Sequence, residues 1–323
     1  MTSRLGLAAC AAVLALALTA CTPSASVPGT APRAGPTAPA SPSTAPASPS
    51  APPPAATVSA ASLQHIVVIV DENKPAGSII GNPDAPYLNQ LAQSGALASR
   101  YSAVAHPSLP NYLALTSGTT GGITSDCNPP GGSCLITGPN LPQELDRAGR
   151  SWRMYAENMP APCTTANTRL YAVKHNPFLY YPSVTSDPGY CASHDVPYSQ
   201  FGADLASAAS LPDFSFISPN LCDDMHDCSV AAGDAWLRAN VPPILASPAF
   251  TTQRSLLVVT FDEGDASDNT VACVFAGPAA RQHAASAAQY THYSLLRTIE
   301  EAWGLNPLTG DDAAATALTP MLQ

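Results

Sequence analysis

The chain has 323 residues with 13 Lys and Arg against 23 Asp and Glu, a formal net charge of −10, and only 11% of its positions are charged. Arg4 and Arg33 precede residue 63 and no acidic residue does, so the remainder holds 11 basic and 23 acidic side chains, a net charge of −12. That balance argues against nucleic acid as a partner, because binding it rests on a basic face, and weakly opposes approach to anionic lipid surfaces.

The first 21 residues read as an export signal: Arg4, an apolar core from Leu5 to Leu18, then "LTAC". These four residues match the lipobox of bacterial lipoproteins, with Cys21 the lipidated first residue of the mature chain. Membrane contact would then run through the N-terminal lipid alone. From 22 to 62 the chain is Pro, Ala, Ser and Thr without helical or strand period, the composition of an extended tether. Residues 63–323 are expected to form a single domain.

Within that domain "HIVVIV" (65–70) is continuous, apolar and β-branched, the pattern of a strand buried on both faces of a parallel sheet, and it leads into Asp71, Glu72 and Asn73. "APYLNQLAQSG" predicts a helix ending at Gly95. In "AVAHPSLPNYLALTSG" (103–118) Pro110 suits the first position of a helix running to Gly118, which leaves Ser108 just outside it. Ser108 is then either a capping residue or a nucleophile beside the positive end of a helix, where an anion such as phosphate would also be held. "NLPQELDRAG" predicts a second helix ending at Gly149, and the stretch from Cys163 to Ser210 an irregular excursion over one sheet edge. "PDFSFIS" (212–218) is a further strand, leading into Asn220 and "CDDMHDC". After a helix near 230–240, "SLLVVTF" (255–261) leads into Asp262 and Glu263. "TVACVFAG" (270–277) and a last helix opened by His292 and ending at Gly304 close the pattern. Strands alternating with helices predict an α/β sandwich with a mainly parallel sheet.

Seven cysteines follow Cys21. In an exported chain their short spacings suggest disulfides Cys127 with Cys134, Cys163 with Cys191 and Cys222 with Cys228, leaving Cys273 as a buried thiol.

Three strands thus run into acidic clusters, and ligands of open parallel sheets bind beyond the carboxyl ends of strands. Oxygen donors of this kind suit a divalent cation: Mg, Ca, Mn or Zn. A metal touching a serine oxygen would activate it and hold a phosphoryl oxygen. His106, His226 and His292, with His175 in "VKHNPF", could grip phosphate oxygens or protonate a leaving alcohol.

The ordered segments "VVIVDENKP", "HPSLPNYLALTSG", "KHNPF", "PNLCDDMHDC" with "GDAWL", "LLVVTFDEGD" and "THYSLLRTIEEAWGL" resemble the bacterial phosphoesterase family of acid phosphatases and phospholipases C. That family lies within the alkaline phosphatase-like superfamily, and its nearest members are compact secreted acid phosphatases, some acting on phosphatidylinositol 3-phosphate. The resemblance implies the alkaline phosphatase-like sandwich and assigns Glu72, Asn73, Asp262 and Glu263, with Ser108, as ligands of the catalytic metal. It makes Ser108 the nucleophile and His106, His226 and His292 phosphate-site residues, with Asn111, His175 and Asp224 as substrate contacts. Where many superfamily members use an Asp-His pair for a second zinc, this chain has Asp262 and Glu263, which implies one ion rather than two. Where some relatives carry asparagine it has Asp126.

The expected protein is an exported, lipid-anchored phosphomonoesterase at the outer face of the cell membrane, or released from it, acting on small-molecule or lipid phosphate esters through a phosphoserine. Rival readings are a phospholipase C-type phosphodiesterase, a carboxyl esterase using Ser108 and His292, and a non-catalytic surface lipoprotein. The esterase lacks a G-x-S-x-G elbow and has no use for three acidic clusters.

Overall fold

The computed structural model describes residues 63–323; the predicted signal peptide, Cys21 and the tether lie outside the described residues. In chain order the first half holds β1 (His65–Asp71), α1 (Pro86–Ser94), β2 (Ala96–Ser102), α2 (Ser108–Ser117), α3 (Leu141–Arg147) and β3 (Trp152–Ala156). Short elements follow: α4 (Pro182–Thr185), α5 (Pro188–His194), β4 (Asp195–Pro197) and α6 (Phe201–Asp204). The second half holds β5 (Phe214–Ser218), α7 (Val230–Leu245), α8 (Pro248–Thr252), β6 (Ser255–Phe261) and β7 (Thr270–Ala276). It closes with β8 (Ala284–Ser286), β9 (Tyr290–Thr291), α9 (His292–Trp303) and α10 (Gly310–Ala314).

One nine-stranded sheet runs in the order β4-β3-β5-β1-β6-β7-β2-β8, with β9 also on β2. The run from β4 to β6 is parallel, while β7 is antiparallel to both β6 and β2. Its central strands β1, β5 and β6 are buried at every position, as continuous Val, Ile, Leu and Phe runs require when helices cover both faces. The expected α/β sandwich with a mainly parallel sheet is therefore the fold.

Two local expectations change. The excursion from 163 to 210 contributes β4, which pairs in parallel with β3 and forms the sheet edge, so it extends the sheet as well as crossing it. Ser108 is the first residue of α2, with Pro107 as its N-cap in extended backbone, and Pro110 stands third in the helix, where a missing N–H is equally harmless. The Ser108 hydroxyl caps nothing. At the other end Gly118 adopts φ 67°, and a Cβ there would lie 2.6 Å from Asp312 Oδ1, so the helix stops where glycine alone fits.

All three expected disulfides form, and Cys273 is a buried free thiol. Among the described residues no helix is long and apolar enough to cross a membrane.

Candidate active site

Register builds the site. β1 and β6 pair in parallel from His65 with Ser255 to Asp71 with Phe261, so Glu72 and Asp262 leave the sheet side by side. The ladder continues past the strand ends, where Asp262 N donates to Asp71 O at 3.0 Å. β5 lies on the other side of β1, and Glu72 N donates to Asp224 O at 2.8 Å, drawing the third acidic cluster in. All three therefore meet at the carboxyl end of the sheet, where strand order switches direction about β1.

Ser108 enters this cluster on α2, every residue of which is buried. Its hydroxyl lies 3.0 Å from Glu72 Oε2, 3.4 Å from Glu263 Oε1 and 3.2 Å from Lys174 Nζ. Glu72 also accepts from the Tyr112 hydroxyl at 2.7 Å, and its Oε1 lies 3.0 Å from His175 Nε2. Asp262 Oδ1 accepts from the backbone N–H of Asn73 and of Glu263, while its Oδ2 is buried without a hydrogen-bond partner. Asn73 sits at φ 55°, the left-handed conformation that asparagine tolerates better than most residues, and this bend lets its amide reach Asp262.

The electrostatics follow from burial. Glu72 is pushed well above the usual carboxylate range by loss of water, then by the charges of Asp262 and Asp224; Asp262 is raised by the same loss of solvent. Burial, followed by Asp262 and Asp126, lifts Glu263 to about 8. Burial pulls Lys174 down, but Glu72, Asp126 and Asp262 outweigh it and hold the ammonium charged. Burial and then Lys174 lower His175 to about 3, so its imidazole is neutral, stacked on Tyr112 at 5.4 Å and with Nδ1 3.2 Å from Asp224 Oδ2. Burial raises Asp224 itself to about 7.

The histidines take different places. His106 pairs through Nδ1 with Glu263 Oε2 at 2.5 Å and is half exposed at the mouth. His292 is buried beneath: Nε2 meets the Asp262 carbonyl and Nδ1 the Tyr101 hydroxyl at 3.0 Å, and burial lowers it to about 4. It positions Asp262 and does not reach Ser108. His226 pairs with Asp227, and its ring lies 6.1 Å from that of His175, on the flank of the site. Asn111 Oδ1 accepts from Val104 and Ala105, and its amide donates to Ala105 and Pro107. All four of its hydrogen bonds thus shape the loop before α2.

The sequence alone points to neither Lys174 nor Tyr112. The adjoining His175 in "VKHNPF" was the available signal, but nothing in the spacing couples Lys174 to a serine 66 positions earlier.

Whether the residues suit a cation can be tested on their chemistry. Among the described residues no three or more His, Cys, Asp or Glu side chains have converged to metal-holding geometry. The donor set nevertheless fits: Glu72, Asp262 and Glu263 are buried beside one hydroxyl, and Asp262 Oδ2 is orphaned. Three such carboxylates against one ammonium demand neutralisation by protons or by a hard cation.

A mainly parallel sheet with acidic strand ends gathered at its carboxyl edge defines the class of fold. It is shared with a crystal structure of a protein in the alkaline phosphatase superfamily from Vibrio parahaemolyticus, at TM-score 0.56 and 13% identity over 80% of this chain and 70% of that one. Residues 81–306 match the Phosphoesterase family, and the chain belongs to it, a hydrolase of phosphate esters. It is 39% identical over 271 residues to the phosphatidylinositol-3-phosphatase of Mycobacterium tuberculosis, covering 82% of this chain and 86% of the relative. It is 34% identical to the phosphate-repressible acid phosphatase of Penicillium chrysogenum over 72% of this chain, spanning 57% of that relative's length.

Proposed function

We propose that the protein is an extracytoplasmic phosphomonoesterase, carried on a Cys21 lipid anchor and the 22–62 tether, with residues 63–323 as its catalytic domain. The observation that carries the reading is the Ser108 hydroxyl at the N-terminus of α2, between the Lys174 ammonium and the buried carboxylates Glu72 and Glu263. The similarity to a phosphatidylinositol-3-phosphatase and to acid phosphatases supports phosphate monoesters, lipid or soluble, as the substrate class.

Ser108 Oγ attacks phosphorus and displaces the alcohol, giving a phosphoserine that water then hydrolyses. Glu72 Oε2, already an acceptor for the hydroxyl, takes its proton. Lys174 and the helix N-terminus face the developing charge on the phosphoryl oxygens, where fixed donors in a dry site act most strongly. His106, exposed at the mouth, is placed to protonate the leaving alkoxide. A divalent cation, Mg, Ca, Mn or Zn, held by Glu72, Asp262, Glu263 and Ser108 with Asn73 beside them, would lower the hydroxyl's pKa and neutralise phosphoryl charge. His175 and Asp224 hold Glu72 from behind, and His292 holds Asp262.

A carboxyl esterase that used His292 as its base would need that ring within hydrogen-bond reach of Ser108. His292, the base of the carboxyl-esterase reading, has both ring nitrogens turned to other groups. The test is Ser108→Ala with p-nitrophenyl phosphate: turnover should fall by at least about 10³-fold, the scale on which loss of a nucleophile is felt. Near-normal turnover in a folded variant would overturn the assignment.

A further inference from the structure

Two donors face the space beside Ser108: the Leu109 N–H in the first turn of α2 and the Lys174 ammonium. Both are taken by one side chain. Asp126 Oδ1 accepts from Leu109 N at 3.2 Å, and Asp126 Oδ2 lies 3.3 Å from Lys174 Nζ, while Lys174 itself is 3.2 Å from the Ser108 hydroxyl. A carboxylate across these donors has two oxygens where a phosphoryl group attacked by Ser108 would place two of its own.

We propose, resting on the phosphatase reading above, that Asp126 is a built-in anion that occupies the phosphate position, and that a substrate phosphate must displace its carboxylate to reach Lys174 and the helix N-terminus. Asp126 is then a specificity-determining residue that weakens the hold on free phosphate and on any monoester lacking compensating contacts elsewhere.

The surrounding structure decides how the displacement occurs. The Cys127 carbonyl accepts from the Tyr180 hydroxyl at 2.9 Å, Cys127 is tied to Cys134, and Ile136 N donates to Tyr180 O at 3.0 Å. The backbone on the C-terminal side of Asp126 is thus pinned. The Asp126 side chain is 34% exposed, against 17% for Lys174, so rotation of the carboxylate into water is open without moving the loop. Asp126 also raises Glu263, so its charge lies within electrostatic reach of the carboxylates a phosphate must already approach.

The experiment compares the full chain with Asp126→Asn, which keeps the shape and removes the charge, and Asp126→Ala, which removes the occupant. Inorganic phosphate is the probe, read both as a competitive inhibitor of p-nitrophenyl phosphate turnover and by calorimetric titration, with thermal unfolding as the control. Displacement predicts that Ki and Kd for phosphate fall in both variants, most in Asp126→Ala, by about tenfold or more, equivalent to 1.4 kcal/mol. A purely structural brace predicts a lower Tm with phosphate affinity unchanged, and a residue that grips the substrate predicts weaker phosphate binding; either overturns the proposal. If Asp126→Ala does not fold, the isosteric Asp126→Asn decides alone. Wild-type turnover without any gain in phosphate affinity removes this proposal only, whereas a wild type inactive on every phosphomonoester removes the phosphatase reading itself.

Discussion

Lys174 is the sole ammonium or guanidinium placed against Ser108 among the described contacts, and replacing it with glutamine tests how much of catalysis is charge stabilisation. The side chain is mostly buried, so its field is only partly screened. A unit charge about 4 Å from a developing phosphoryl charge is worth about 4 kcal/mol at an effective dielectric of 20. Deletion of a single preorganised donor in other hydrolytic sites costs about 2.7–4 kcal/mol. Both routes predict that Lys174→Gln lowers kcat/KM for p-nitrophenyl phosphate by about 10²–10³-fold. The assay is steady-state turnover at saturating metal, with circular dichroism and thermal unfolding to confirm that the variant is folded. Glutamine keeps a hydrogen-bond donor, so a loss of this size reports the charge. A loss below about fivefold would refute the claim that Lys174 faces the reacting phosphoryl group.

Two further outcomes concern metal and pH. Dialysis against chelator should abolish turnover, and titration with Mg, Ca, Mn and Zn should restore it with one ion per chain; activity indifferent to all four, with no metal found by elemental analysis, would require another partner for the buried carboxylates. Glu300, buried on α9, is raised from the ordinary 4.5 to about 9 by burial and then by Asp312, which accepts from Leu308 N and Thr309 N. A carboxyl whose folded pKa is raised leaves the folded state holding the extra proton, so stability falls as pH rises from 4.5 towards 9, by at most about 1.4 kcal/mol per unit. Glu300→Gln removes that titration while keeping a donor for Asp312. Its Tm advantage over the parent should be near zero at pH 5 and grow to several degrees by pH 8.5; a constant difference would refute the assignment.

The parts of the fold visible in the sequence were those where burial leaves one pattern. β1, β5, β6 and β7 are buried almost throughout and read as unbroken apolar runs. β2, "ALASRYS", was invisible because it is partly open: Ser99 and Arg100 are exposed, and the strand is held by β7, β8 and β9, whose pairing no local signal records. The three acidic strand ends were legible because parallel pairing must bring them to one edge. Their partners were not, since Lys174 and Tyr112 reach Glu72 and Ser108 only through tertiary packing. A lysine in a sequence reads as a solvated charge, and here an excess of buried carboxylates holds it inside. The prolines around Ser108 pointed to a helix start, but Pro107 and Pro110 are both admissible there, and the choice between them moved Ser108 from outside the helix to its first residue.

The central claim is that Ser108 carries the phosphoryl group. Acid quenching during turnover of a phosphomonoester, followed by digestion and mass spectrometry, should find phosphate on the peptide containing Ser108 and lose it in Ser108→Ala. Phosphate on another residue, or active turnover with no phosphoenzyme trapped on a millisecond quench, would contradict the account.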